Sequence, residues 1–292
     1  MMTAKEFIQL FVPPIYYKVK KRLFPKKQPV HHPLPKVEHS KQRMVIIGTG
    51  PSLNKTLELY EQQLHEADCM MVNFSARTPL FEQIRPAYYL MVDPGFLDED
   101  DIDVTNALID DLRAKTSWPM TVIMPDLLKV WDKSKELLLN GNINILYYNN
   151  KWSNIPQEKL FEAWDKNIID PPAQTVLNAA IWLSVYWGYK ETYIVGADTS
   201  FIQDIYVGQK DNILYTMDRH YYDNDEVFPQ DVEPEKQGRP FGMTMERLLN
   251  AVYTMFKSYR ELRGYAEWKG VKIYNASEYS MIDCFERKKL NE

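Results

Sequence analysis

Gly48-Thr49-Gly50-Pro51-Ser52 directly follows the apolar run Met44-Val45-Ile46-Ile47, and a stretch of helical period begins at Leu53. Glycines permit positive φ and close backbone approach. Proline suits a first helical position, where an N–H is not needed. The free N–H groups and the dipole at such a helix start attract phosphate. The Lys-Ser/Thr that completes a P-loop is missing, and Leu53 stands where the dinucleotide fingerprint has its third glycine. A phosphate-binding turn and an ordinary tight strand–helix turn both fit the segment. His220 is the sole histidine after His65. An imidazole titrating near ~6.5 suits general-base work at neutral pH, and a surface histidine in an acidic loop is the plainer reading. Tyr206, Tyr215, Tyr221 and Tyr222 surround it in sequence. A phenol can donate to a departing phosphate without a metal, and Tyr206 and Tyr221 are favoured for that role. Asp98-Glu99-Asp100-Asp101-Ile102-Asp103 contains the Asp-x-Asp pairs that hold Mn²⁺ or Mg²⁺ in many transferases. It precedes a helical pattern, so an acidic first turn explains it more simply, and no metal is expected. Asp223-Asn224-Asp225-Glu226 lacks the glycine and terminal Glu spacing of a Ca²⁺ loop.

These residues need a scaffold, and the chain supplies one. Short apolar runs at 44–48, 69–73, 88–93, 121–125, 143–148, 192–198 and 271–275 read as strands. Stretches of helical period lie between most of them, at 53–64, 104–115, 127–138 and 176–187. The alternation predicts an α/β fold of Rossmann-like type, a mostly parallel sheet with helices on both faces. Ligands bind such sheets beyond the carboxyl ends of the strands, where the strand order reverses. Polar residues do gather just after strands: the glycine turn, Asn73-Phe74-Ser75, Asp93-Pro94-Gly95, Asp198-Thr199-Ser200 and Asn275-Ala276-Ser277. Residues 202–243 are aperiodic and rich in Pro, Gly and acids, as lids and binding loops are.

Composition narrows the classes. The chain has 292 residues, 45% of them hydrophobic, which suits a globular body. No apolar run reaches the roughly 18 residues of a spanning helix, and no signal-peptide pattern opens the chain. Cys69 and Cys284 lack metal-ligand spacing and read as buried small hydrophobes. Residues 1–43 carry ten Lys or Arg against Glu6 and Glu38, an excess of eight; with the whole chain at −5, the remainder stands at −13. An acidic body argues against nucleic-acid binding. Ile15, Val19 and Leu23 fall at helical spacing, with Lys18, Lys20, Lys21 and Arg22 mostly on other faces. Such an amphipathic piece can lie in an anionic lipid interface; a helix packed on the body or a disordered tail are the alternatives. The expected organisation is therefore a basic amphipathic arm and Pro-rich linker over 1–42, with membrane contact through 1–27. One catalytic domain follows over 43–292, with a lid at about 202–243.

The glycine turn resembles the Gly-x-Gly-Pro-Ser-Leu start of bacterial sialyltransferases of glycosyltransferase family 42 and of the related motility-associated-factor transferases of nonulosonic acids. Gly188-Tyr189-Lys190-Glu191-Thr192-Tyr193-Ile194-Val195-Gly196-Ala197-Asp198 is similar to that family's Gly-Tyr-Lys-Glu segment ending in Gly-x-Asp. Asn73 matches the asparagine after its second strand, and Ile273-Tyr274-Asn275-Ala276-Ser277 resembles its last-strand element. The resemblance covers roughly 44–285. It implies an inverting, metal-independent transfer of a sugar from a CMP-activated donor, with no cofactor. Gly48, Thr49, Gly50, Pro51, Ser52, Asn73, Asp93, Thr175, Asp198, Thr199, Asn275 and Ser277 would then bind the nucleotide or donor. His220 would be the base, with Tyr206 and Tyr221 at the leaving phosphate. Asp93 and Ala173 depart from the family's Asn and Arg, which opens the donor to sialic acid, another nonulosonic acid or Kdo.

The expected partners are a nucleotide-sugar donor, a glycan or glycolipid acceptor of lipopolysaccharide or capsule assembly, and an anionic membrane. The expected place is cytoplasmic, on the inner face of the bacterial inner membrane. A homo-oligomer is left open. Two alternatives stand beside this reading. One is a Mg-ATP-dependent pyrophosphokinase-like enzyme, since archaeal pterin diphosphokinases resemble the same sheet and glycine turn. The other is a non-catalytic scaffold at a membrane glycan-assembly complex.

Overall fold

Residues 33–97, 102–149, 153, 155–217, 219–223, 230–231 and 243–292 are described by a computed structural model. Residues 1–32 of the arm and linker expected over 1–42, the acidic run 98–101, and residues 218, 224–229 and 232–242 of the expected lid lie outside the described residues. Each of the seven runs expected as strands forms one. They are β1 (Arg43–Ile47), β2 (Asp68–Val72), β3 (Tyr88–Leu90), β4 (Met120–Pro125), β5 (Ile143–Tyr148), β6 (Glu191–Val195) and, after three short strands, β10 (Lys272–Asn275). With β11 (Glu286–Arg287) they make an eight-stranded sheet ordered β11-β10-β6-β1-β2-β3-β4-β5, in which every pairing is parallel. The three short strands are β7 (Tyr206–Val207), β8 (Leu214–Thr216) and β9 (Gln230–Asp231). They form a separate antiparallel sheet inside the region expected to be aperiodic. Strands of two and three residues are too short to leave a period in sequence.

The central strand shows why apolar runs encode this sheet. A parallel strand with neighbours on both sides has helices over both faces and is apolar throughout. Successive side chains point to opposite faces. Met44 and Ile46 join one core with Trp182, Leu183 and Tyr186 of α5 (Val176–Trp187) and Tyr259 and Leu262 of α6 (Met245–Lys269). Val45 and Ile47 join the other with Leu53 and Leu64 of α1 (Leu53–Glu66) and Leu108 and Leu112 of α3 (Ile102–Lys115). Two shorter helices, α2 (Leu80–Ile84) and α4 (Gln157–Asp165), complete the layers. Ten of the twelve residues of α5 are buried. Its buried Ser184 hydroxyl pairs with that of Thr192 of β6 at 2.6 Å, as a buried polar group must. Cys69 is buried and Cys284 half-buried; burial pushes both thiols up to about 12, which keeps them unreactive.

Two expectations are corrected. The stretch expected as one helix over 127–138 is two 3-10 segments, Asp126–Val130 and Asp132–Leu139. Trp131 breaks it: the residue is extended at ψ 94°. Its indole stacks on Phe96 at 5.9 Å and donates to Asn106 Oδ1 at 3.1 Å. The linker expected to end at 42 instead joins the compact unit from Leu34 onward. Leu34 is 3% exposed, its N–H donates to Asn167 Oδ1 and its carbonyl accepts from the Tyr186 hydroxyl. Lys36 Nζ sits 3.2 Å from the centroid of the Tyr186 ring, and His39 stacks on Tyr189 at 3.9 Å. Prolines there set an extended path along the domain instead of a loose tether.

Candidate functional site

The chain leaves β1 toward β2 and the far edge, then returns to place β6 on the other side of β1. That reversal opens a crevice at the carboxyl ends of β1 and β6. A cavity of ≈ 310 Å³ fills it. Of the residues expected to bind a ligand, Gly48, Thr49, Gly50, Asn73, Asp93, Thr175, Asp198, Thr199 and His220 line this cavity. Pro51, Ser52, Asn275, Ser277, Tyr206 and Tyr221 do not.

The glycine turn departs from its expected role. Gly48 N–H donates to Val195 O and Gly50 N–H to Gly196 O, both at 2.8 Å. Ser52 N–H donates to Asp198 Oδ2 at 2.8 Å, and its hydroxyl to Oδ1 at 2.5 Å. Pro51 has no N–H, so Thr49 alone keeps an amide without a partner among the described residues. The amides expected to grip a phosphate are thus mostly spent in tying β1 to β6. The glycines serve that closeness and not positive φ, which neither adopts. A Cβ on Gly48 would lie 2.5 Å from Gly196 O, and one on Gly50 would collide with the Asp198 carboxylate. Asp198 is 4% exposed, and burial raises its carboxyl above the usual range, with the two Ser52 hydrogen bonds opposing. Asn275 and Ser277 are likewise committed inward. Asn275 donates to Ile282 O at 3.0 Å, and Ser277 Oγ accepts from Ala197 N–H at 3.0 Å. They brace the tip of β6 from behind.

Asn73 behaves differently. It takes the left-handed conformation at φ 50°, fixed by the buried Tyr89 hydroxyl, which donates to its carbonyl and accepts from Ala76 N–H at 2.9 Å. Its Oδ1 is buried with no hydrogen-bond partner among the described residues. An orphaned acceptor on a left-handed residue costs free energy, and because Asn73 lines the cavity a ligand or a water there can satisfy it. Thr199, on the β6 side, is also left-handed at φ 54°, a conformation that a β-branched residue rarely takes. No sequence period reports either conformation. Thr175 caps α5: its hydroxyl meets the Tyr259 hydroxyl at 3.0 Å and its N–H donates to Asn178 Oδ1 at 3.3 Å. Tyr259, which lines the cavity from α6, was missed in sequence; burial pushes its phenol far up, so it stays protonated. Asp93 caps its own turn, accepting from Gly95 N–H at 2.8 Å.

The segment expected as a lid reaches the cavity through Arg219 and His220. His220 Nδ1 lies 3.3 Å from Asp223 Oδ2, which also accepts the His220 N–H at 2.6 Å. The ring stacks on Tyr222 with 4° between planes. A neutral imidazole that donates from Nδ1 carries its lone pair on Nε2, as a general base requires. Asp223 is the orienting group sequence reasoning left unused. Tyr221 fastens this segment. Its N–H donates to Thr49 O at 2.9 Å, its carbonyl accepts from Asn54 at 3.0 Å and its hydroxyl pairs with Thr78 at 2.7 Å. Tyr206 is 44% exposed and stacks on Tyr215 at 5.5 Å. Neither expected phenol reaches the cavity, because Tyr221 is spent on the lid's attachment and Tyr206 on the small sheet. Among the described residues, no three His, Cys, Asp or Glu side chains group to hold a metal ion.

The comparisons fit this architecture. The chain matches no curated protein by sequence. Among solved structures it is similar to the MAf glycosyltransferase from Magnetospirillum magneticum AMB-1, at 12% identity and a TM-score of 0.51. The match covers 89% of this chain and 36% of that one, a likeness of fold. Residues 18–204, more than half of the chain, match the family described as 6-hydroxymethylpterin diphosphokinase MptE-like. A glycine turn after β1, the β1/β6 crevice and the Gly-x-Asp tip of β6 all fall within that span, and the chain belongs to the MptE-like family.

Proposed function

We propose that the chain is an inverting, metal-independent glycosyltransferase that moves an acidic sugar from a CMP-activated donor to a cell-surface glycan. The observation that carries this reading is one cavity that joins two features. The orphaned Asn73 Oδ1 sits at the tip of β2, and the Asp223-oriented His220 comes from the lid. The amide oxygen suits an exocyclic amine, such as that of cytosine, or a ribose hydroxyl. The imidazole suits an acceptor hydroxyl. The acceptor O–H gives its proton to Nε2 as its oxygen bonds to the anomeric carbon. The bond from that carbon to the donor phosphate breaks, and CMP departs with the electron pair. The hydrogen-bonded pair of Thr175, at the start of α5, and the protonated Tyr259 of α6 keeps one O–H to donate toward the leaving group. The fold shared with a glycosyltransferase supports the reaction class, and the turn's resemblance to family 42 supports the donor. The acceptor we infer is lipid-linked, with residues 1–27 on an anionic membrane. Among the described residues, no helix is long and apolar enough to cross one.

The family's name favours a second reading, Mg-ATP-dependent diphosphoryl transfer, with Asp93 as the carboxylate for Mg²⁺. Hydrolysis of a CMP-activated acidic sugar without acceptor separates the two. Slow CMP release unaffected by EDTA, with transfer to an added acceptor reduced about 10²-fold or more by His220→Ala, is the expected result. Release that EDTA abolishes, or that ATP alone supports, favours the second reading.

A further inference from the structure

A nucleotide brings at least one phosphate into the cavity, yet the glycine turn has few donors left for it. The Gly48, Gly50 and Ser52 amides are bonded within the protein. Asp93 and Asp198 add carboxylates to the same wall, so an anion meets repulsion unless a cation offsets it. Arg219 is the one Lys or Arg among the described residues of that wall. It has no carboxylate partner among the described residues; its Nη2 touches only Met217 Sδ, at 3.7 Å. A guanidinium offers a fork of donors matched to phosphate oxygens. Its neighbour Tyr221 is bonded to Thr49 and Thr78, which holds the lid segment carrying Arg219 against the turn. The first turn of α5 opens on the same cavity through Val176 and Leu177, whose N–H groups lack intrahelical partners.

We propose that Arg219 is the phosphate-binding residue of this site, supplied by the lid in place of the glycine-turn amides. The proposal rests on the reading that the cavity takes a nucleotide, but not on which base the nucleotide carries. It makes Arg219 a specificity residue: nucleotides are held through it and nucleosides are not.

The test is calorimetric titration of the full chain and of Arg219→Ala, Arg219→Gln and Arg219→Lys. The ligands are cytidine, CMP, a CMP-activated acidic sugar, adenosine and ATP. The expected result is a Kd for CMP raised about 10- to 100-fold in the Ala and Gln variants. Lys should lie between them and wild type. The CMP-sugar should lose the same factor, and cytidine should stay within about twofold. Equal weakening of cytidine means a merely structural role and overturns the proposal. So does no weakening, or weakening of the CMP-sugar with CMP untouched, which assigns the guanidinium to the sugar carboxylate. If wild type ignores CMP and binds ATP, the glycosyltransferase reading falls. ATP against adenosine then decides Arg219 by the same criterion. A wild-type chain that binds no nucleotide overturns both.

Discussion

Asn73 joins a left-handed backbone to an orphaned buried acceptor in the cavity wall and therefore says most about the ligand. A left-handed non-glycine residue costs on the order of 1–3 kcal/mol, and a buried acceptor without a partner about as much. Tyr89 enforces the conformation from below. Glycine adopts the same φ freely, so Asn73→Gly should leave stability within about 1 kcal/mol of wild type. CMP affinity should fall about tenfold with the lost hydrogen bond. Denaturation in urea and titration with CMP read the two separately, and loss of stability with affinity intact would reverse the assignment. The sequence marked Asn73 as a polar residue after a strand, but not its backbone or its orphaned oxygen. Asp198 and Ser52 were legible as residues of the site, yet they are 146 positions apart and bonded to each other. That pairing depends on β6 lying beside β1, which no local window contains.

At the scale of elements, the segment expected as a lid is attached at Tyr221 through its N–H, its carbonyl and its phenol. If Tyr221 serves attachment and not the leaving phosphate, Tyr221→Phe removes only the phenol's hydrogen bonds to Thr78 and Ser75. Its turnover should stay within about fivefold of wild type. Removal of a donor to the transition state would cost about 10²- to 10³-fold. Steady-state rates on one acceptor decide between the two values. The strands were legible because a parallel strand covered on both faces must be apolar along its length. The stretch expected as a helix over 127–138 is apolar without being buried along one face: Leu127, Val130 and Leu138 are 38%, 73% and 60% exposed. Trp131, held by Phe96 and Asn106, set the local path instead. Helix α6 went unremarked in sequence, and Tyr259 with it.

For the whole molecule, the compact unit begins at Leu34, nine residues before β1 begins at Arg43. Proline content alone gave the wrong boundary, because a proline-rich stretch reads as a linker whether or not it packs. Removal of residues 1–33 should leave the melting temperature unchanged while releasing the protein from anionic liposomes. Removal through 42 should destabilise the body by about 2 kcal/mol or more, since Leu34 alone buries a full side chain. A shorter truncation that still bound lipid would place membrane contact elsewhere. The parallel sheet and the glycine turn after its central strand follow from patterns that the sequence carries openly, whereas the crevice between β1 and β6 depends on a long-range strand order. The donors that meet the ligand had to be found in three dimensions.

The central claim is that this crevice binds a cytidine nucleotide, and thermal unfolding with CMP, CDP, UDP, GDP and ATP, each with and without Mg²⁺, tests it most directly. CMP at about 100 times its Kd should stabilise the protein by roughly 2.7 kcal/mol, equally in EDTA, and the shift should shrink in Asn73→Gly. Stabilisation by ATP with Mg²⁺ and none by CMP would contradict the account.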